Sequence, residues 1–270
     1  MWQVTAVKKR LSLVAYLGWL GIKSSYEYRA AFWLQVIGMI INNSAIIFVL
    51  ALLFRQFGSI HGWNIHDTLL VFGLSSIPFG IIQLLFANMF GSKLSERIIG
   101  GELDSFMLFP QSTLFHVSIR RIDVSGLGDV LSGIAYLALS GYIATLAAAG
   151  RLAIVLVIAT TAMYSVSVLV QSLAFWLPGA RDIGGLHVSV TLMGVNYPEP
   201  AFTGAAKVVL LGIFPGFLVG FLPAHIIHNI TWGNISGFLL VTACINIAGR
   251  IAFKRGLRHY ESGNLVTTNV

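Results

Sequence analysis

His225 and His228, in the run HIIH, stand three residues apart and would share one face of a helix, the way a helix presents half of a zinc site. No third ligand follows nearby, and two interfacial histidines at the end of an apolar segment account for the pair better. Other patterns that organise chemistry are missing. There is no HExxH, GxSxG or CxxC, and no glycine is followed by lysine, so the GxxxxGK[ST] loop that cradles nucleotide phosphates is absent. Cys244 is the sole cysteine, which leaves neither a disulfide framework nor a thiolate cluster. Neither a catalytic residue nor a metal site is therefore assigned. The segment that stands out is RIIGGELDSFMLFP, Arg97 to Pro110, where Gly100, Gly101, Glu102 and Asp104 separate two apolar runs. A surface facing lipid has no need of such polarity, and a catalytic site would ask for more.

The elements that position this segment belong in a bilayer. Of the 270 residues, 56% are hydrophobic and 10% charged, with mean hydropathy +0.83, far from a soluble domain. A spanning helix needs roughly 20 mainly apolar residues. Six segments are expected to span, at about 30–54, 69–90, 124–148, 152–177, 183–195 and 235–253, with a short turn at Gly150 and Arg151 joining the third and fourth. The fifth is the weakest, being short and carrying His187. The fold class is thus all-α and integral to the membrane, one transmembrane domain with neither internal repeat nor soluble appendage.

Two apolar stretches remain. Val7 to Tyr28 opens with Lys8, Lys9 and Arg10, and sets Leu13, Leu17 and Leu20 on one helical face, which predicts a helix lying in the interface. A signal peptide has a similar start, but KSSYEYR follows without a small-residue cleavage site. Ala205 to Ile227 is broken by Pro215 and Pro223, so two short helices in a hairpin fit better than one rod. Gly212, Gly216 and Gly220 would give that hairpin a smooth ridge for close packing.

Charge orients the spans. With the amino terminus inside and a re-entrant hairpin, all but Arg55, Arg151 and Lys207 of the 17 lysines and arginines fall on the cytoplasmic side. A hairpin that crossed fully would carry Arg250, Lys254, Arg255 and Arg258 outside and weaken that bias. The net charge of +7 then speaks of orientation and anionic lipid rather than nucleic acid. Both termini are expected in the cytoplasm. Asn229 and Asn234 head glycosylation sequons in the expected outer loop, relevant only in a host that glycosylates.

Within the expected spans there is no glutamate or lysine, Asp129 lies near the cytoplasmic end of the third, and His187 is the one deep ionisable candidate. Ion coupling, which needs such groups, is poorly supported. Neutral amides are present instead. Helix-to-helix hydrogen bonding accounts for Gln171 and Asn246, whereas adjacent Asn42 and Asn43 must point in different directions, at least one toward a crevice or interface. The loop of 91–121 is then cytoplasmic, and Ser92 to Leu108 can form a short amphipathic helix broken at Gly100-Gly101. On the residues alone it is either a projecting elbow for a partner or an interfacial loop whose acids balance Lys93, Arg97, Arg120 and Arg121.

RIIGGELDSFMLFP resembles the cytoplasmic loop of bacterial ATP-binding-cassette permeases of the type-2 superfamily, in which a basic residue, glycine, an acidic-Leu-Asp group and a following proline mark the segment. YPEPAFTGAAKVVLLGIFPGFLVGFLPA, Tyr197 to Ala224, is similar to the family's outer hairpin, with Tyr197-Pro198, the central Pro215 and the closing Pro223-Ala224. The order of elements agrees: an elbow at 1–29, spans at 30–90, the loop at 91–121, spans at 122–196, the hairpin at 197–234, and the last span with a basic tail at 235–270. The resemblance implies a permease of the bacterial inner membrane that pairs with an identical or paralogous copy. Each copy would dock on a cytoplasmic ATPase subunit that binds Mg-ATP, so this chain holds no cofactor of its own. Arg97, Gly100, Gly101, Glu102, Leu103 and Asp104 would form the coupling helix. Asn42, Asn43 and Gln83 become candidates for the translocation path, and the cargo would be an exported lipid, glycolipid, hydrophobic peptide or drug-like natural product. An ion-coupled secondary transporter using His187 is the alternative.

Overall fold

The computed structural model describes residues 2–59, 62–109, 111–143, 145–197, 204 and 217–260, with side chains from residue 12 onward and none for Pro178. All regular structure among them is helical. Helix α1 (Trp2–Tyr26) leads into α2 (Arg29–Phe57) and α3 (Ile65–Leu85). Three short helices follow, α4 (Lys93–Ile99), α5 (Asp104–Met107) and α6 (Thr113–Ile119). Then come α7 (Ser125–Leu139), α8 (Leu146–Gln171) and α9 (Ile183–Val195), a π-helical turn at Phe217–Phe221, α10 (Leu222–His228) and α11 (Trp232–Gly256). Among the described residues, four helices are long and apolar enough to cross a membrane: α2, α3, α8 with its 3-10 extension to Phe175, and α11. Shorter apolar helices lie at Ser125–Leu139, Ile183–Val195 and Phe217–His228.

α3 is the hub, with 83% of its most apolar window buried against 11% for α2. Its main partner is α7, and glycines let the two backbones meet. A Cβ on Gly80 would lie 2.5 Å from the Gly126 carbonyl, and one on Gly73 would lie 3.0 Å from the Gly133 carbonyl. The two pairs are seven residues apart on each helix, so they fall on one seam of small residues. One half of the core joins Leu70, Leu74, Val155, Phe221 and Phe238. The other, toward α4–α6, joins Ile82, Met89, Leu94, Leu103 and Phe253. α2 shows Leu34, Ile41 and Phe48 outward, and α11 shows Leu240 and Ile247, surfaces suited to hydrocarbon.

Helix boundaries follow local chemistry, and one expectation is corrected. The third segment ends at Leu139 and the fourth begins at Leu146, so Gly150 and Arg151 are inside α8. Ser140 donates its hydroxyl to the Leu137 carbonyl at 2.7 Å, Gly141 takes a positive φ of 76°, and Thr145 caps α8 by accepting from the Ala148 amide at 3.1 Å. Ala147 to Ala149 favour helix, and Arg151 sits in the second turn, where a long side chain reaches back to water. The third segment accordingly ends at Leu139 rather than near Ala148. The expected amphipathic helix of Ser92 to Leu108 is two helices, α4 and α5, parted where two glycines allow it.

Candidate functional site

α4 lacks a cap of its own. Ser92 stands at its N-cap, but the Ser92 hydroxyl accepts from the Gly185 amide of α9 at 2.8 Å. The amides of the first turn are satisfied from α8 instead. Gln171 Oε1 accepts from Leu94 N at 2.9 Å and Ser95 N at 3.2 Å, and its Nε2 donates to the Met89 carbonyl at 3.1 Å. Ser95 Oγ donates to the Arg181 carbonyl at 2.6 Å. One fully buried amide side chain thus fastens α4 to the end of α8, and a serine fastens it to the start of α9.

After α4 the chain turns at Gly100 and at Gly101, whose φ is 72°. That conformation favours glycine and returns Glu102 to Arg97, with Nη1 2.6 Å from Oε2. Arg97 also donates from Nε to Asn88 Oδ1 at 3.3 Å and lies 5.7 Å over the Phe106 ring. Buried Asn88 in turn donates to the Val117 carbonyl of α6 at 2.7 Å. Leu103 is buried, and its amide donates to Tyr260 Oη, just past α11, at 3.0 Å. Burial and the neighbouring Asp104 hold the Tyr260 phenol above its ordinary range.

The predicted loop residues are therefore brought together, with Leu103 and Phe106 packed inward. Glu102, Asp104, Met107, Leu108 and Phe109 face outward, and Leu108 is 87% exposed. Behind this apex His116 stacks on Phe109 with ring centres 4.0 Å apart, and burial, then Arg120, lowers its pKa.

Asn42, Asn43 and Gln83 all line one cavity of about 470 Å³ between α2, α3, α7 and α9. Phe72, Phe79 and Leu192 supply apolar wall. Sequence reasoning missed the other polar lining residues, Ser75, Ser76, Asp129 and Asn196. The 8% exposed Asp129 accepts from Asn43 Nδ2 at 2.7 Å. A signal was present: Ser125, Asp129, Ser132 and Tyr136 recur at helical spacing, marking an inward polar face of α7. His187 is buried between α8 and α9, with Ser167 Oγ 3.4 Å away, and is not among the lining residues.

A polar chain joins cavity and loop. Gln83 Nε2 donates to Ser125 Oγ, which donates to Asp123 Oδ1 at 2.6 Å, and Asp123 Oδ2 lies 3.6 Å from Lys93 Nζ at the start of α4.

At the other end of the bundle, Asp67 on α3 accepts from Tyr142 Oη at 2.7 Å, and His228 Nε2 of α10 lies 3.4 Å away. Burial, then Asp67, pushes the Tyr142 phenol up to about 12. The HIIH pair thus contributes His228 to a polar cluster with Asp67 and Tyr142. Asn246 Nδ2 donates to Ser165 Oγ at 2.8 Å, joining α11 to α8 as expected. Tyr197 is exposed just after α9, Pro223 is buried in the first turn of α10, and Pro198 and Pro215 lie outside the described residues. Gly220 packs closely, since a Cβ there would meet Val195 Cγ1 at 2.9 Å. Gly212 and Gly216 lie outside the described residues.

Long apolar helices packed around a largely apolar cavity, with a braced loop at one end, define a multi-pass membrane protein. Residues 40–263 match the family model described as "ABC-2 family transporter protein", well over half of the chain, and the chain belongs to that family. No individual curated protein matches it. It is accordingly an ABC transporter permease, a membrane subunit that transports in partnership with ATP-binding-cassette ATPase subunits.

Proposed function

We propose that this chain exports a hydrophobic or amphiphilic substrate through a permease dimer, identical or mixed, driven by Mg-ATP turnover on separate cytoplasmic ATPases. The observation that carries the reading is the build of the loop. Its apex is exposed and acidic-apolar, while its base is bonded to α8, α9 and the end of α11 through Gln171, Ser95 and Tyr260. A segment held this way moves as a unit with the helices behind it. Closure of two ATPases beneath the apex would push on α8 and α9 together, and the chain from Lys93 through Asp123 and Ser125 to Gln83 would carry the displacement to the cavity wall. Arg97, Gly100, Gly101, Glu102, Leu103 and Asp104 form the coupling segment in this scheme, and Asn42, Asn43 and Gln83 line the path.

The topology is six crossings with a re-entrant outer hairpin, α1 in the inner-leaflet interface of a bacterial inner membrane, and both termini cytoplasmic. Two polar groupings support it. Asp67, Tyr142 and His228 gather at one end, and Gln171, Leu94, Arg181 and Tyr260 belong to the other, the partition that alternating crossings require. The proposal is tested by tagged co-purification from native membranes in mild detergent. Wild type is expected to bring down a P-loop ATPase, and Glu102→Lys with Asp104→Lys is expected to lose it while the permease stays inserted. Retention of the complex by the double variant would refute the coupling assignment.

A further inference from the structure

Among the described residues, the cavity between α2, α3, α7 and α9 is lined by one carboxylate and by no cationic side chain. Asp129 is buried, and its hydrogen-bond partner is the neutral Asn43 amide at 2.7 Å. It has no ion-pair partner among the described residues, and the charged group close enough to act on it is Asp123, a second carboxylate already paired with Lys93. Among the described residues, no lysine, arginine or histidine lines the cavity. An ionised carboxylate removed from water costs several kcal/mol unless a cation and further donors compensate it. Gln83, a neutral amide, directs one of its two amide hydrogens at Ser125 and brings no charge to the site. The remaining wall includes Phe72, Phe79 and Phe90, whose faces attract a cation and whose area suits an apolar body. At about 470 Å³ the space falls in the range of small-molecule pockets.

We infer that this cavity takes an organic cation, an ammonium-type head seated at Asp129 and Asn43 with an aromatic or alkyl body against the phenylalanines. The inference rests on the exporter reading and narrows its substrate class. Lipid-linked phosphates and other anions would meet an uncompensated carboxylate, whereas an amine-bearing amphiphile supplies the missing charge.

Tetraphenylphosphonium and tetraphenylborate have nearly the same size and shape and opposite charge, so they isolate the charge at Asp129. Binding of each is measured on purified, detergent-solubilised full-length permease, for wild type, Asp129→Asn and Asp129→Glu, with size-exclusion profiles to establish folding. Wild type is expected to bind the phosphonium and not the borate. Asp129→Asn is expected to weaken phosphonium binding at least tenfold, and Asp129→Glu to retain it within about threefold. Equal phosphonium binding by wild type and Asp129→Asn, or none by wild type, overturns the inference. Displacement of the phosphonium by millimolar sodium in wild type also overturns it, by giving the site to an inorganic ion. Co-purification of the ATPase is read in the same membranes. A failed cation site with the ATPase still bound leaves the exporter reading standing, and loss of the ATPase from wild type removes that reading instead.

Discussion

Replacing Gln171 with leucine removes the cap that α8 lends to α4 while nearly preserving side-chain volume. Two amides, Leu94 N and Ser95 N, lose their acceptor at 2.9 and 3.2 Å, and the Met89 carbonyl loses a donor at 3.1 Å. All three residues providing these groups lie in buried surroundings, so water cannot step in without opening the packing. Each buried polar group left unpaired costs about 1–3 kcal/mol, and part of that is recovered by local adjustment, so a net of about 3 kcal/mol against the closed position of α4 is reasonable. That corresponds to opening increased on the order of a hundredfold. Hydrogen exchange on the permease in nanodiscs, resolved to the peptide covering residues 92–99, reads the opening directly. Exchange of the Leu94 and Ser95 amides is expected to accelerate by about that factor, with α3 unchanged. Gln171→Glu keeps an acceptor but sets a carboxylate against the Met89 carbonyl, and an intermediate rate is expected. Exchange within threefold of wild type in Gln171→Leu would refute the view that α8 braces the loop.

Leu108→Asp alters a side chain that is 87% exposed, so permease stability should change by no more than about 0.5 kcal/mol. Affinity for the partner ATPase is expected to fall by at least tenfold in a binding titration, since a leucine buried in a groove contributes about 1.5–3 kcal/mol; an unchanged affinity would exclude the apex from the contact. Gly126→Leu would drive a side chain into the Gly80 carbonyl, 2.5 Å from where its Cβ must sit. Backbone cannot yield there as a flexible side chain would, and loss of the monodisperse protein or a large fall in Tm is expected. Gly150→Leu, where no atom lies within 4 Å, serves as the neutral control. His116 has a pKa below its usual 6.5 because burial and Arg120 disfavour the charged ring. Its contribution to stability is therefore complete above pH 6.5 and is lost as pH falls through the lower folded value. Thermal melts of wild type should drop on acidification in that window, and His116→Phe should flatten the drop; parallel profiles would contradict the assignment.

Much of this was legible because hydrocarbon imposes a simple grammar. Apolar length placed α2, α3, α8, α9 and α11 and the start of α7, and Gly100-Gly101 marked the break inside the loop. Polarity misled at Arg151, which reads as a turn but lies in a helix whose true start is fixed by Thr145, a quieter signal. The α3–α7 seam was also in the sequence, as Gly73 and Gly80 against Gly126 and Gly133, but only the knowledge that these two helices touch gives the spacing meaning. The brace was out of reach for another reason. Gln171 and Ser95 are far apart along the chain, and nothing in either residue type says that a buried amide will cap a distant helix rather than bond a neighbouring span. Asp129 looked peripheral because it lies in the second turn of α7, and only the packing of α2 and α9 around it makes that position a cavity wall.

Site-specific photocrosslinking tests the central claim most directly. A benzoylphenylalanine at position 108, on the apex, is compared with one at position 146, where the native leucine is 91% exposed at the far end of α8. Irradiation of intact cells, followed by mass spectrometry of the adduct, is expected to join position 108 to a P-loop ATPase and position 146 to none. An ATPase adduct at 146, or a position 108 that crosslinks only to lipid, would contradict it.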